Sequence, residues 1–168
     1  MEKKRMKVTM ERGGSIVIEL MPEIAPIACA HVMKMIEMKK YDGKKIERLE
    51  PGFVIQPLFQ DGLDADIDEM VEPEFKTNPE NAAVKFVRGT VGMAGFAEAA
   101  SGSQFFITLK EAERLNGNFT VIGKVVDGWD EVERLESVEV SEQVEESDGF
   151  VYHVPVVDEV VKSVRLED

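Results

Sequence analysis

Three groups of side chains in this chain have types and spacings that invite a chemical reading. Asp64, Asp66 and Asp68 alternate like the start of a calcium-binding loop. Such a loop needs glycine at its sixth position and a bidentate carboxylate at its twelfth. Counted from Asp64 those places hold Glu69 and Phe75, so a solvated acidic loop is expected, without metal. Cys29 and His31 stand two apart on a helical pattern, without the further ligands a zinc site requires. Cys29 falls on the apolar face, where a small buried hydrophobe is the ordinary reading. Nucleophilic catalysis also lacks parts: His31 and His153 are the only histidines, and no Gly-x-Ser-x-Gly elbow or Ser paired with a positioned base is present. What remains is Arg48, set among segments rich in glycine and aromatic residues.

The elements that would position these groups can be read from periodicity. Residues 15–20 are largely β-branched and follow the turn signal Gly13-Gly14, which predicts a strand. Residues 27–40 change period: Ala28, Cys29, Val32, Met33, Met35 and Ile36 share one helical face, opposite Lys34 and Glu37. Pro26 suits the first turn of that helix, where amides lack intrahelical acceptors. Short β-rich pieces follow at 53–56, 84–87, 90–94, 104–108 and 120–126, punctuated by glycine. A second helix is expected over 128–136, where Trp129, Val132 and Leu135 recur every third residue, and a last strand over 158–166. The acidic stretches 61–74 and 136–148 read as surface loops. Many short strands with few helices predict a mostly β, closed or nearly closed barrel. With no internal repeat or low-complexity linker, residues 1–168 are expected to form one domain.

Composition narrows the partners. Lys plus Arg total 20 against 33 Asp plus Glu, a formal charge of −13. That field repels phosphate backbones and anionic lipid, so neither nucleic acid nor a membrane surface is an expected partner. No apolar run approaches the length of a bilayer span, and none follows the basic N-terminus as a secretory signal would. A single cysteine excludes an internal disulfide and suits the reducing cytoplasm, the expected location. No heptad or large apolar stripe demands assembly, so a monomer is expected.

Four blocks then acquire meaning together: Tyr41-Asp42-Gly43 with Arg48 and Pro51-Gly52-Phe53-Val54-Ile55-Gln56; Gly89-Thr90-Val91-Gly92-Met93-Ala94; Ser103-Gln104-Phe105-Phe106-Ile107; and Leu115-Asn116-Gly117 leading to Val121-Ile122-Gly123-Lys124-Val125. In this order and at these separations they resemble the cyclophilin family of peptidyl-prolyl cis/trans isomerases, over roughly residues 7–136. The resemblance implies an eight-stranded antiparallel β-barrel capped by two α-helices, with a substrate groove on its outer face. It implies an enzyme that needs no cofactor and accelerates rotation about Xaa-Pro bonds in unfolded or client polypeptides. Amide resonance sets that barrier at about 18–20 kcal/mol, and stabilising the twisted amide suffices to lower it.

Carried over by position, Arg48 matches the catalytic arginine, donating to the prolyl nitrogen as its lone pair localises. Phe53, Val54, Phe106 and Leu115 match the proline pocket. Gln56 matches the glutamine that orients the arginine, Gln104 and Phe119 fall in the same groove, and the backbone at Ala94 and Gly95 would pair with an extended peptide. The chain departs from the family where Glu47 precedes Arg48, where Pro57-Leu58-Phe59 follows Gln56, and where Phe96 replaces a small residue. Arg114 stands where an indole is frequent, which implies weak cyclosporin binding. These departures leave open a catalytically weak or inactive module that binds proline-containing segments. The bland reading of Arg48 is a surface ion pair with Glu47 or Glu50. A sugar- or metal-binding barrel is disfavoured by the lack of clustered His, Asp and Glu near the glycine-rich blocks.

Overall fold

The computed structural model describes residues 4–57 and 61–167. Strand β1 (Arg5–Met10) buries Met6, Val8 and Met10 and exposes Lys7, the period-two pattern of a strand with one face on a core. It pairs on one side with β2 (Ser15–Leu20) and on the other with β11 (Val161–Glu167). Between them in sequence lie β3 (Arg48–Glu50), β4 (Val54–Gln56), β5 (Met70–Val71), β6 (Thr90–Gly95), β7 (Ala100–Thr108), β8 (Val121–Asp127), β9 (Val140–Val144) and β10 (Val151–Pro155). Eight of these form a curled antiparallel sheet in the order β11-β1-β2-β8-β6-β7-β4-β3, with β5 added beside β7. Residues 43–46, which precede β3, are bonded through the backbone to residues 159–161: Gly43 donates to the Val161 carbonyl at 2.7 Å, Val161 to Lys44 at 2.7 Å, and Ile46 to Glu159 at 2.9 Å.

Helix α1 (Pro26–Glu37) starts at its proline and buries Ala28, Cys29, Val32, Met35 and Ile36 against the sheet. Its first free amides are satisfied from outside. The buried Glu74 carboxylate accepts from Ile27 at 2.9 Å and Ala28 at 2.8 Å. An anion so placed at a helix N-terminus contributes up to about 2 kcal/mol in a partly buried setting. Short helices α2 (Ala65–Asp68), α3 (Glu74–Thr77) and α4 (Pro79–Ala82) carry the chain across to β6. Helix α5 (Trp129–Glu136) begins at Gly128, whose φ of +87° and close approach to the Ser15 carbonyl leave no room for a side chain. Val132 and Leu135 of α5 join the same core.

The structure corrects the reading of three segments. Residues 84–87 are not a strand: Phe86 is fully buried, but its amide bonds the Asn116 side chain at 2.7 Å rather than a neighbouring strand. The stretch 136–148 is not only loop, because β9 pairs along its length with β10 in a separate two-stranded sheet that packs on β3. The acidic residues Glu145, Glu146 and Asp148 sit in the turn between the two strands rather than on them. Stretch 61–74 likewise contains α2 and β5, with Ile67 buried. Among the described residues no helix is long and apolar enough to cross a membrane.

Candidate functional site

Strand alternation sorts the sheet's side chains into two sets. Leu49, Ile55, Met93, Phe105 and Ile107 belong to the large core cluster with α1 and α5. Their neighbours project to the opposite face, as period-two geometry requires. There Val54, Phe86, Phe106, Leu115 and Val121 form a second apolar cluster with Ile24, and Phe53 and Phe119 pack against it. A groove of about 550 Å³ opens over this second cluster.

All ten positions expected from the sequence line that groove: Arg48, Phe53, Val54, Gln56, Ala94, Gly95, Gln104, Phe106, Leu115 and Phe119. Phe106 forms its floor. It stacks on Phe86 at 5.6 Å and meets Phe119 edge-on at 5.7 Å. Gly92, directly opposite Phe106 in the β6–β7 pair, leaves room for both buried rings. Leu115 is presented by a single 3₁₀ turn, Glu113–Leu115. The result is a largely aromatic slot in which Phe53, Val54, Phe106, Leu115 and Phe119 bring no side-chain donor.

Arg48 stands on β3 opposite Gln56 in the β3–β4 register. Gln56 donates to Gln104 at 2.7 Å, and both amides are buried. Gln104's own backbone amide donates to Ser101 Oγ at 2.9 Å, which anchors this polar end of the groove to β7. The guanidinium is bonded by Glu50 instead: Arg48 Nε donates to Glu50 Oε2 at 3.0 Å. Its two terminal amino groups have no partner among the described residues. Phe53 and Phe150 flank the guanidinium, 5.8 Å and 5.2 Å from ring centroid to Arg48 Cζ. Glu50 also meets His153, Nδ1 to Oε1 at 2.6 Å. Burial alone would raise the Glu50 carboxyl, but the bonds from Arg48 and His153 outweigh it and hold it below the usual carboxylate range.

Met70, Phe96, Ser101 and Phe150 also line the groove. Phe96 was visible in the sequence as a departure and is largely exposed at the β6–β7 turn, where its amide donates to Ala99 at 2.8 Å. Phe150 and His153 come from the β9–β10 hairpin, about a hundred residues from Arg48, with no spacing signal to connect them. Arg114 lies over Phe53 at 4.4 Å, on the ring's flank. Leu58 and Phe59, part of the expected departure after Gln56, lie outside the described residues.

The other candidate groups are occupied elsewhere. Asp64 accepts from Asp66 N at 3.0 Å and Ile67 N at 3.4 Å and pairs with Lys40 at 2.8 Å, so it is the N-cap of α2. Cys29 is fully buried, its thiol pushed up to about 12 chiefly by burial, while His31 Nδ1 lies 2.7 Å from the Gly102 carbonyl.

Comparison with known proteins agrees with this geometry. The family model for cyclophilin type peptidyl-prolyl cis-trans isomerases matches residues 5–158. A probable peptidyl-prolyl cis-trans isomerase of Brucella suis is 36% identical over 132 residues, 74% of this chain and 67% of that protein. The mouse peptidyl-prolyl cis-trans isomerase-like 3 is 31% identical over 139 residues, 82% of this chain and 86% of its own. A Cryptosporidium parvum cyclophilin type isomerase structure superposes with a TM-score of 0.80 over 99% of both chains, at 23% identity. The chain therefore belongs to the cyclophilin-type peptidyl-prolyl cis-trans isomerase family.

Proposed function

We propose that this groove catalyses rotation about Xaa-Pro bonds in extended peptide segments, with Arg48 as the electrostatic catalyst and the Phe53, Val54, Phe106, Leu115 slot holding the proline ring. The observation that carries the reading is the juxtaposition in one groove of a fixed guanidinium and an aromatic slot without donors. As the amide twists, resonance is lost and the prolyl nitrogen becomes pyramidal and basic. A guanidinium amino group aimed at that nitrogen binds the twisted state better than either planar isomer, which lowers the barrier without any covalent step. The apolar slot keeps water from competing for the nitrogen, and Gln56 and Gln104 supply polar contacts beyond the ring. The backbone of Ala94 and Gly95 is placed to pair with the peptide on the N-terminal side of the proline. In this reading the strand path closes into a barrel through the contacts between residues 43–46 and 159–161, α1 and α5 cap it, and the protein works as one monomeric domain in the cytoplasm.

The test is acceleration of cis-to-trans conversion on a short Xaa-Pro peptide, comparing wild type with Arg48→Ala. Acceleration that collapses by about 10²–10³-fold in the variant fits loss of one transition-state donor. Equal rates would reject Arg48 as catalyst. A second reading is favoured by one observation: the Glu50 carboxylate already engages the Arg48 guanidinium. A module that binds proline segments without rotating them would then show saturable binding and no acceleration.

A further inference from the structure

The β9–β10 hairpin is poorly explained by its own packing. Most of its residues are exposed or half-buried, and isolated two-stranded hairpins are marginal in water. It is nonetheless specifically shaped where it approaches β3. Gly149 takes a φ of +73°, Glu145 N donates to the Phe150 carbonyl at 2.8 Å, and the Asp148 carboxylate accepts from Phe150 N at 2.9 Å. This turn places Phe150 in the groove, stacked on Tyr152 at 6.0 Å and facing the Arg48 guanidinium. One step along β10, His153 grips both oxygens of Glu50: its Nδ1 lies 2.6 Å from Oε1, and its backbone amide donates to Oε2 at 3.2 Å.

Glu50 Oε2 is the oxygen that receives Arg48 Nε. The hairpin thus fixes the carboxylate, the carboxylate fixes the guanidinium about its Nε edge, and two rings limit its tilt. A guanidinium offers five donors in a rigid fork, so holding it at Nε determines where the terminal amino groups go. Resting on the isomerase reading of the groove, we propose that the hairpin is a working part of the active site. His153 acting through Glu50, together with Phe150, are positioning residues that hold Arg48 with its terminal amino groups presented to the substrate.

Two measurements test this separately. In the peptide assay, Glu50→Ala should lower kcat by about tenfold or more with KM little changed, because misplacing a catalytic group by about 1 Å can cost up to 10²-fold. Glu50→Gln keeps an oxygen acceptor for Arg48 Nε and should recover most of that loss. His153→Ala should fall between them and wild type. If Glu50 only damps the guanidinium's charge, Glu50→Ala will raise kcat, and the proposal is wrong. The second measurement needs no activity: the Arg48 Nε–H resonance should exchange slowly with water in the folded wild type and rapidly in Glu50→Ala and His153→Ala. Equal exchange in all three overturns the clamp even if the enzyme is active. An inactive wild type with a protected Nε–H rejects the isomerase reading while leaving the clamp in place.

Discussion

Gly92→Ala offers a measurement of the groove that leaves every polar contact intact. A methyl at position 92 would lie 2.7 Å from Phe106 Cζ and 2.7 Å from Phe86 Cε1. Ordinary contact begins at 3.4 Å, so the rings must give way by about 0.7 Å. Phe86 is fully buried, whereas Phe106 borders the open groove, so the displacement falls on Phe106 and pushes it toward Phe119 and the apolar slot proposed to hold proline. Overpacking of this kind costs about 1–3 kcal/mol. At about 2–4 °C per kcal/mol for a chain of this size, Tm should drop by about 2–12 °C. The same shift narrows the slot, and kcat/KM for a proline peptide should fall about tenfold, given the sensitivity of near-attack geometry to sub-ångström displacement. Peptides carrying the four-membered azetidine ring in place of proline should lose less. Differential scanning calorimetry and the peptide assay read the two effects independently. A variant that loses stability but keeps its kcat/KM would show that Phe106 does not wall the proline slot.

Three further expectations can be checked with the same tools. Arg48→Lys keeps the charge but loses the planar fork and the Nε bond to Glu50, so kcat should fall by at least about tenfold with the fold retained; a rate within twofold of wild type would contradict the fork's role. Asn81→Ala removes a fully buried amide that donates to the Ile24 and Val121 carbonyls at 2.9 Å and accepts from Val121 N at 3.0 Å. With about 1–3 kcal/mol per stranded group, urea unfolding should show a loss of about 3 kcal/mol or more. Glu131 would be raised by burial, but the Arg134 guanidinium and the Gly14 amide outweigh it and leave it below its ordinary 4.5. Its contribution to stability is then fully present above the ordinary value and lost as pH falls through the lowered one. Unfolding free energies measured across that acid range should fall less steeply in Glu131→Gln than in wild type.

The groove was legible because alternation and motif agree along β3, β4, β6 and β7. Once Phe105 and Ile55 face the core, Phe106, Val54 and Gln56 must face outward, and a one-residue error would have placed all of them wrongly. Gln56 was expected to orient Arg48; the structure gives that bond to Glu50 and pairs Gln56 with Gln104. The ion pair considered as the bland alternative and the groove position are therefore both true of the same residue. What the sequence could not disclose was the hairpin. Its turn is acidic and its strands are short and at most half-buried over nearly their whole length, so no clean apolar period marks them, and the contact of His153 with Glu50 joins residues 103 apart. Residues 84–87 misled for the converse reason: valine and phenylalanine favour strands, but here tertiary context satisfies Phe86 through the Asn116 side chain.

The pairing of β1 with β11 has a consequence for how the molecule is made. The strand that opens the sheet finds its second neighbour only when residues 161–167 have been synthesised. At about 5–20 residues per second, that interval is roughly 8–30 s of translation. Throughout it, Arg5–Met10 offers an unpaired edge and β2 has a partner on one flank that is itself unsupported. Completion of the sheet therefore waits for residues 161–167, and it follows directly on emergence of the segment that carries Phe150 and His153. The segment that surrounds Arg48 and the strand that completes the sheet thus arrive together.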